Sequence, residues 1–222
     1  MRANAMTRLQ DLGTLADLPQ VAADFRQKIE AADLTGCTPF LDWTQQILVD
    51  HPERRALVLP PGTLIEGDLI LDGDAEPFAN GGVACLVAEG DFKVTGRILN
   101  ADSESGPSLL VAGGLEAGEL VKAASGIVVL GSLNVERLIV CDGDNGALIV
   151  GGRVTAGGLI DCDHEIIVIG DVSATVASDD LGNMRALLVP EVFEEPDDPS
   201  DEWPEGDLIR DRILQGLPVL RA

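Results

Sequence analysis

The chain has 222 residues with 38 acidic and 15 basic side chains, a formal net charge of −23, and a 45% hydrophobic content in which five Phe and two Trp are the only aromatics. Such a field repels nucleic-acid phosphate and anionic lipid and attracts a basic partner, and no apolar run approaches the roughly 18 residues of a membrane helix. Cys37, Cys85, Cys141 and Cys162 show no C-x-x-C spacing and no secretory apolar core follows Met1, so the expectation is a cytoplasmic protein with reduced thiols.

Residues 1–13 carry no clear signal. Leu18, Val21, Ala22, Phe25 and Ile29 recur at three- and four-residue steps, which predicts a helix from about Pro19 to Ala32. Thr38-Pro39 opens a second predicted helix, with Phe40, Trp43, Ile47 and Leu48 on one side up to His51-Pro52. Residues 1–55 are therefore expected to form a helical cap over the open end of the repeat that begins at Ala56.

From Ala56 a single frame repeats: TLIEGDLIL, LVAEGDFKVTGRIL, LLVAGGLEAGELV, IVVLGSLNVERLIV, ALIVGGRVTAGGLI and IIVIGDVSATV. Aligning the glycine of each corner selects Gly67, Gly90, Gly113, Gly131, Gly152 and Gly170, with spacings of 23, 23, 18, 21 and 18. A period near twenty in β-branched residues predicts a stacked β-solenoid of about six coils over residues 56–190. The shortage of aromatic rings agrees, because a narrow interior is filled by ladders of Val, Ile, Leu and Ala. Longer coils carry excursions at Asp72 to Gly82 and Asp102 to Pro107. Ala186-Leu187-Leu188-Val189 repeats the first strand once more, and Pro190 ends the stacking.

Residues 191–222 come last, with nine acids between Glu191 and Asp207, then Leu208, Ile209, Ile213 and Leu214 as a short amphipathic helix and second cap. The acidity is uneven. Residues 1–55 hold 8 acids and 6 bases, residues 56–190 hold 20 and 6, and residues 191–222 hold 10 and 3. A general solubility or halophilic adaptation accounts for this as well as a basic partner does.

Aligned without gaps, ILNADS, LVKAAS, LIVCDG and LIDCDH place Ala101, Ala123, Cys141 and Cys162 in one small, inward column. The next column is Asp102, Ala124, Asp142 and Asp163, flanked by Asp144 and Asp161. Stacked carboxylates repel, so Asp102, Asp142, Asp144, Asp161 and Asp163 are read as an edge that meets a basic protein, or as solvated turn residues. Calcium is the weaker reading, since no G-G-x-G-x-D repeat is present. His164 beside Asp163 and near Cys162 suggests a nucleophile and base only superficially, because that cysteine belongs to the buried column. No catalytic residue, metal set or cofactor motif emerges.

The repeated [LIV]-x-V-x-G-x-[LV]-x-[VA]-x-x-[LI]-[LIV] frame resembles the right-handed β-solenoids of bacteria, in particular the bactofilins. That resemblance implies an all-β, single-stranded right-handed parallel β-helix and end-to-end polymerisation, against which stand the predicted caps and the charge. The frame is also similar to acidic solenoids among bacterial toxin immunity proteins, which implies a protein that binds a cognate toxin and blocks its active site. Six-residue glycine steps such as Gly90 to Gly96 resemble left-handed acyltransferases, but that period fails between Gly113 and Gly131. The expected function is non-enzymatic protein binding by a monomer or small oligomer with α-helical caps, with toxin neutralisation its sharpest form and a bactofilin-like scaffold the alternative.

Overall fold

The chain alternates between two sheets, each coil contributing one strand to the first and either one strand or a strand split in two (β3 with β4, β10 with β11) to the second. The structure is a computed structural model that describes residues 9–34, 54–79, 82–104, 106–143, 146–162, 164–177, 181–193 and 204–221. In chain order the elements are β1 (Thr14–Asp17), α1 (Leu18–Ala31), β2 (Arg55–Leu59), β3 (Thr63–Ile65), β4 (Leu69–Ile70), β5 (Val83–Ala88), β6 (Phe92–Leu99) and β7 (Ser108–Val111). They continue with β8 (Leu115–Lys122), β9 (Ile127–Val129), β10 (Leu133–Val135), β11 (Leu138–Asp142), β12 (Ala147–Val150), β13 (Val154–Cys162), β14 (Glu165–Val168) and β15 (Val172–Ala177). Two short helices close the chain, α2 (Leu181–Leu187) and α3 (Gly206–Leu214).

The first sheet has the order β1-β2-β5-β7-β9-β12-β14, parallel throughout except for β1, which runs antiparallel to β2. The second contains β3, β4, β6, β8, β10, β11, β13 and β15, all paired in parallel. The architecture is a parallel β-solenoid of about four turns with a few short helices.

Register stacks like residues on like. Leu57, Leu86, Leu109, Ile127 and Leu148 form one inward ladder of the first sheet. Phe92, Leu115, Leu133 and Val154 form a second, and Leu69, Ile98, Leu120, Ile139 and Leu159 a third. All belong to one buried cluster, which Phe78 of the first excursion joins and onto which Leu9 and Leu12 pack. Burying such a side chain stabilises by about 1.5–3 kcal/mol, and aliphatic ladders fill the interior with only Phe78 and Phe92 as rings, both toward its amino-terminal end.

The glycine corners stack at Gly90, Gly113, Gly131, Gly152 and Gly170. A Cβ on Gly152 would lie 2.7 Å from the carbonyl carbon of Gly131, and one on Gly131 would lie 2.7 Å from that of Gly113. Gly67 does not belong to this ladder. Thr63 pairs with Phe92, which puts Pro61 at the first corner, where a Cβ on Gly90 would come within 2.8 Å of it. Gly67 instead sits at the bend of the second sheet beneath Gly96, where an added Cβ would meet the Gly67 carbonyl oxygen at 2.6 Å.

Among the described residues, helices lie over the outer faces of both sheets. The first sheet is apolar on both faces, as an interior parallel sheet must be. Its outer residues Ala56, Cys85, Val87, Leu110, Val128 and Ile149 cluster with Leu18, Phe25, Ile29 and Leu34. The predicted helix from Pro19 to Ala32 is thus α1, with Pro19 in its first turn. Fourteen residues span about 21 Å, enough to cross four rungs at about 4.8 Å each. The second predicted helix lies outside the described residues.

The outer residues Leu99, Val121, Val140 and Ile160 of the second sheet are covered by the carboxy-terminal segment through Met184, Leu188, Val192, Ile209, Ile213 and Val219. Residues 186–189 are accordingly no further strand. Ala186 and Leu187 end α2, and Leu188 bridges Leu220 antiparallel instead of stacking on β14.

Candidate functional site

Among the described residues, two of three flanks are covered and the third is open. It is formed by the first half of each strand in the second sheet, where Leu64, Lys93, Glu116, Asn134, Thr155 and Ser173 face outward in register. All six are exposed. The sheet then bends at Gly96, Gly118 and Gly157, and between ladder and bend runs a groove of about 590 Å³ lined by Lys93, Thr95, Glu116, Asn134, Glu136 and Thr155. Glycine is needed at that bend: a Cβ on Gly118 would lie 2.7 Å from the Gly96 carbonyl oxygen.

This flank is where the solenoid balances its charge. Of the six bases between residues 56 and 190, Lys93, Arg97, Arg137 and Arg153 are here. Lys93 pairs with Glu116 at 2.6 Å, Arg97 with Asp68 at 2.8 Å, Arg137 with Glu119 at 2.8 Å and Arg153 with Asp171 at 3.4 Å. Partial burial alone would raise the Asp68 carboxyl, but hydrogen bonds from the Arg97 side chain and backbone and the Arg97 charge outweigh it and hold it below the usual range. The hydrogen bond to Glu119 likewise raises Arg137. Most of the surplus negative charge therefore lies elsewhere.

Register shifts the predicted column at Asp142. Cys141 pairs with Lys122 on one side and Asp161 on the other, and Asp142 pairs with Cys162. Two cross-strand columns thus exchange members. Cys141 is fully buried in the inner cluster, while Cys162 packs outward against the carboxy-terminal segment. Asp142 is half-buried; its carboxyl is raised by burial and then by Asp207 of α3, with Arg210 opposing. Asp102 accepts the Glu104 amide at 2.9 Å within its loop, and Asp161, near the end of β13, accepts the His164 amide at 3.0 Å. Asp144 and Asp163 lie outside the described residues.

The cause is one extra residue at a bend. Leu115 and Leu120 are five positions apart, but their register partners Leu133 and Ile139 are six apart. The apolar triplet Leu138-Ile139-Val140 hides the slip, because the first of its residues fits the frame as well as the second.

Two buried polar residues at this third corner were not read from sequence. Asn100 and Lys122 occupy the inward position after Leu99 and Val121, and are 1% exposed each. Their parity was the available signal: each stands two residues after an inward Ile98 or Leu120. Lys122 donates to the Ala123 carbonyl at 3.0 Å and to His164 Nε2. His164 Nδ1–H donates to the Gly143 carbonyl at 2.6 Å, which fixes the neutral tautomer that can accept from lysine. Burial, with a smaller opposing effect from Cys141, brings Lys122 down to about 8. Burial and then the Lys122 charge bring His164 down to about 4. The Cys85, Cys141 and Cys162 thiols are pushed up to about 12, chiefly by burial, and are poor nucleophiles.

These two groups make stability depend on pH. Between about 6.5 and 4 the unfolded chain binds a proton at His164 that the folded chain does not, so stability is lost as pH falls through that window. Between about 8 and 10.5 the unfolded chain holds a proton that Lys122 has released, so stability rises with pH there. Urea midpoints measured from pH 4 to 10 should show both slopes. His164→Gln should remove its own contribution to the acid slope and keep the alkaline one; an unchanged acid slope would dissociate it from His164.

Among the described residues no group of three or more His, Cys, Asp or Glu is arranged to hold a metal ion, and no helix is long and apolar enough to cross a membrane. Comparison with protein-family models, with curated proteins and with solved structures finds no match for this chain.

Proposed function

We propose that the protein is a non-enzymatic β-solenoid that binds another protein, with neutralisation of a cognate bacterial toxin as the specific form. One observation carries this: among the described residues, self-covering leaves a single flank open, and that flank is charge-balanced, hydrogen-bonding and concave. A molecule of net charge −23 attracts a basic protein over distance, while the open flank offers close contact without a large excess of like charge. In this reading Asp102, Asp142, Asp144, Asp161 and Asp163 contribute to the attracting field, and nucleic acid and membrane are not partners. The protein works in the cytoplasm, without cofactor or metal, as a monomer or small oligomer. The winding is read as right-handed and the coil number as six, the latter supported by the six parallel strands of the first sheet.

The test is co-expression with the product of the neighbouring gene, followed by binding kinetics. Rescue of growth and a complex whose association slows with salt are expected, since exposed charges are screened beyond about 8–10 Å. Lys93→Glu combined with Asn134→Arg, on the open flank, should weaken the complex at least about tenfold, the scale of losing contacts at the centre of an interface. No complex and no rescue would reject neutralisation of that product; a complex untouched by the flank variants would reject the docking face.

A second reading, a bactofilin-like scaffold, is favoured by the carboxy-terminal end of the stack. There Ile169, Val172 and Val176 are 53%, 45% and 37% exposed, and β14 and β15 have no further strand paired to them among the described residues. Long filaments of the full-length chain in electron micrographs would move the conclusion to that reading.

A further inference from the structure

A second open groove, of about 770 Å³, lies across the bend from the polar groove, between the second sheet and the carboxy-terminal tail. Its character differs. Leu214 and Leu217 stand 46% and 44% exposed on its tail side, and Leu138 and Leu220 line it as partly buried residues. Both leucines leave apolar surface in water that an aliphatic chain laid against them would withdraw. The opposite wall carries Arg97 and Arg137.

The two guanidinium groups are held so that part of each remains available. Glu119 takes one Nη of Arg137 at 2.8 Å, and this glutamate side chain is 8% exposed while the arginine side chain is 60% exposed. The cation faces solvent and its counter-ion is withdrawn. Asp68 takes Nε and one Nη of Arg97. In a strongly acidic chain, an apolar trough with cationic donors on one wall has a definite complement.

We propose that this groove binds a small amphiphile, an aliphatic carboxylate whose chain lies against Leu138, Leu214, Leu217 and Leu220 and whose carboxylate meets Arg137, with Arg97 behind it. The carboxylate takes the donors of Arg137 that Glu119 leaves free, as planar guanidinium–carboxylate pairing favours. A groove of this size holds a ligand of ten or so heavy atoms with room to spare, within the usual range of about 300–1,000 Å³ for small-molecule sites. Neither an alkylammonium nor a long anionic polymer fits: the first meets two arginines, and the second meets the surrounding acidic surface. This site lies across the Gly157 bend from the polar groove, on the edge of the open flank next to the carboxy-terminal tail, and does not rest on the protein-binding reading.

The experiment is titration calorimetry of the full-length protein with sodium decanoate below its micellar concentration, with decanol and decyltrimethylammonium as matched controls. One saturable site is expected for decanoate, with decanol at least about tenfold weaker, the scale of one charge-assisted hydrogen bond. Arg137→Gln should reduce decanoate affinity about tenfold and leave decanol affinity unchanged. Leu217→Glu should abolish both, with circular dichroism confirming the fold of each variant. Absence of saturable decanoate binding overturns the site. Equal affinity for decanoate and decanol, or indifference of decanoate to Arg137→Gln, overturns recognition of the carboxylate.

Discussion

Replacing Asn100 by alanine should destabilise the protein by about 2–4 kcal/mol, through one orphaned buried amide, weakened contacts around it and a small cavity. Asn100 joins three successive rungs at the corner from which both excursions leave. Its Nδ2 donates to the Leu71 carbonyl at 3.1 Å and to Asp72 Oδ1 at 3.0 Å, and its Oδ1 accepts the Ala123 and Ser125 amides at 3.1 and 2.7 Å. The Ala123 amide keeps a second acceptor in the Asn100 backbone carbonyl, so the principal orphan is the amide of Ser125, itself fully buried. Asn100→Asp separates the roles. It preserves the acceptor but sets a second carboxylate beside Asp72, so at neutral pH it should also be destabilised, and it should regain stability as acid protonates one of the pair. Urea denaturation at pH 7 and pH 5 reads both variants. An alanine variant within about 1 kcal/mol of wild type would mean that water or relaxation replaces the corner's hydrogen bonds, against the direct ties described for Asn100.

The repeat was legible because stacking demands the same residue class at the same place in each coil, and the three inward ladders follow from it. The errors have local physical causes. Glu66-Gly67-Asp68 and Glu89-Gly90-Asp91 are the same triplet at two different corners, and both aspartates do the same work there. Asp68 accepts the Arg97 amide at 2.8 Å and Asp91 accepts the Gly114 amide at 2.8 Å, each tying its corner to the next rung. A triplet that serves either corner cannot say which one it is in. The slip at Leu138 has the same character, since a three-residue apolar run is compatible with two registers that differ by which face each side chain takes.

Charge was legible only as a total for each segment of the chain. Arg97 and Asp68, or Arg137 and Glu119, are brought together by register across rungs, so the balanced flank could not be separated from the acidic remainder without the pairing. The helix α1 was found by periodicity, but a periodic stripe says only that one face is buried. That α1 lies along the first sheet is determined by the small and apolar outer residues of that sheet, such as Ala56 and Ala84, which the repeat frame had left without a role.

Gly152→Ala should be among the most damaging single-methyl changes available to this chain. Gly113, Gly131, Gly152 and Gly170 are not glycine for the sake of a positive φ; none is among the positive-φ glycines. They are glycine because consecutive corners touch. A Cβ at Gly152 would meet the Gly131 carbonyl carbon and oxygen at 2.7 Å, and those atoms are backbone, already engaged when the Gly152 amide donates to the Gly131 oxygen at 2.8 Å. Relief requires the rungs to separate and that hydrogen bond to stretch, so the expected loss is about 3 kcal/mol, the upper range for overpacking a tight site. Gly82→Ala is the control, with nothing within 4 Å of the added Cβ, and should change stability by less than about 0.5 kcal/mol. Position along the stack supplies the sharper test. In a solenoid each rung is stabilised by its nearest neighbours, so Gly170→Ala, which clashes with Gly152 by a similar 2.6 Å approach but sits at the last rung, can shed that rung and keep the others. It should therefore cost less than Gly152→Ala, with hydrogen-exchange protection lost in β14 and β15 and retained in β7 to β9. Equal destabilisation by both, with protection lost uniformly, would mean that the coils unfold as one cooperative unit in which the position of the clash does not matter.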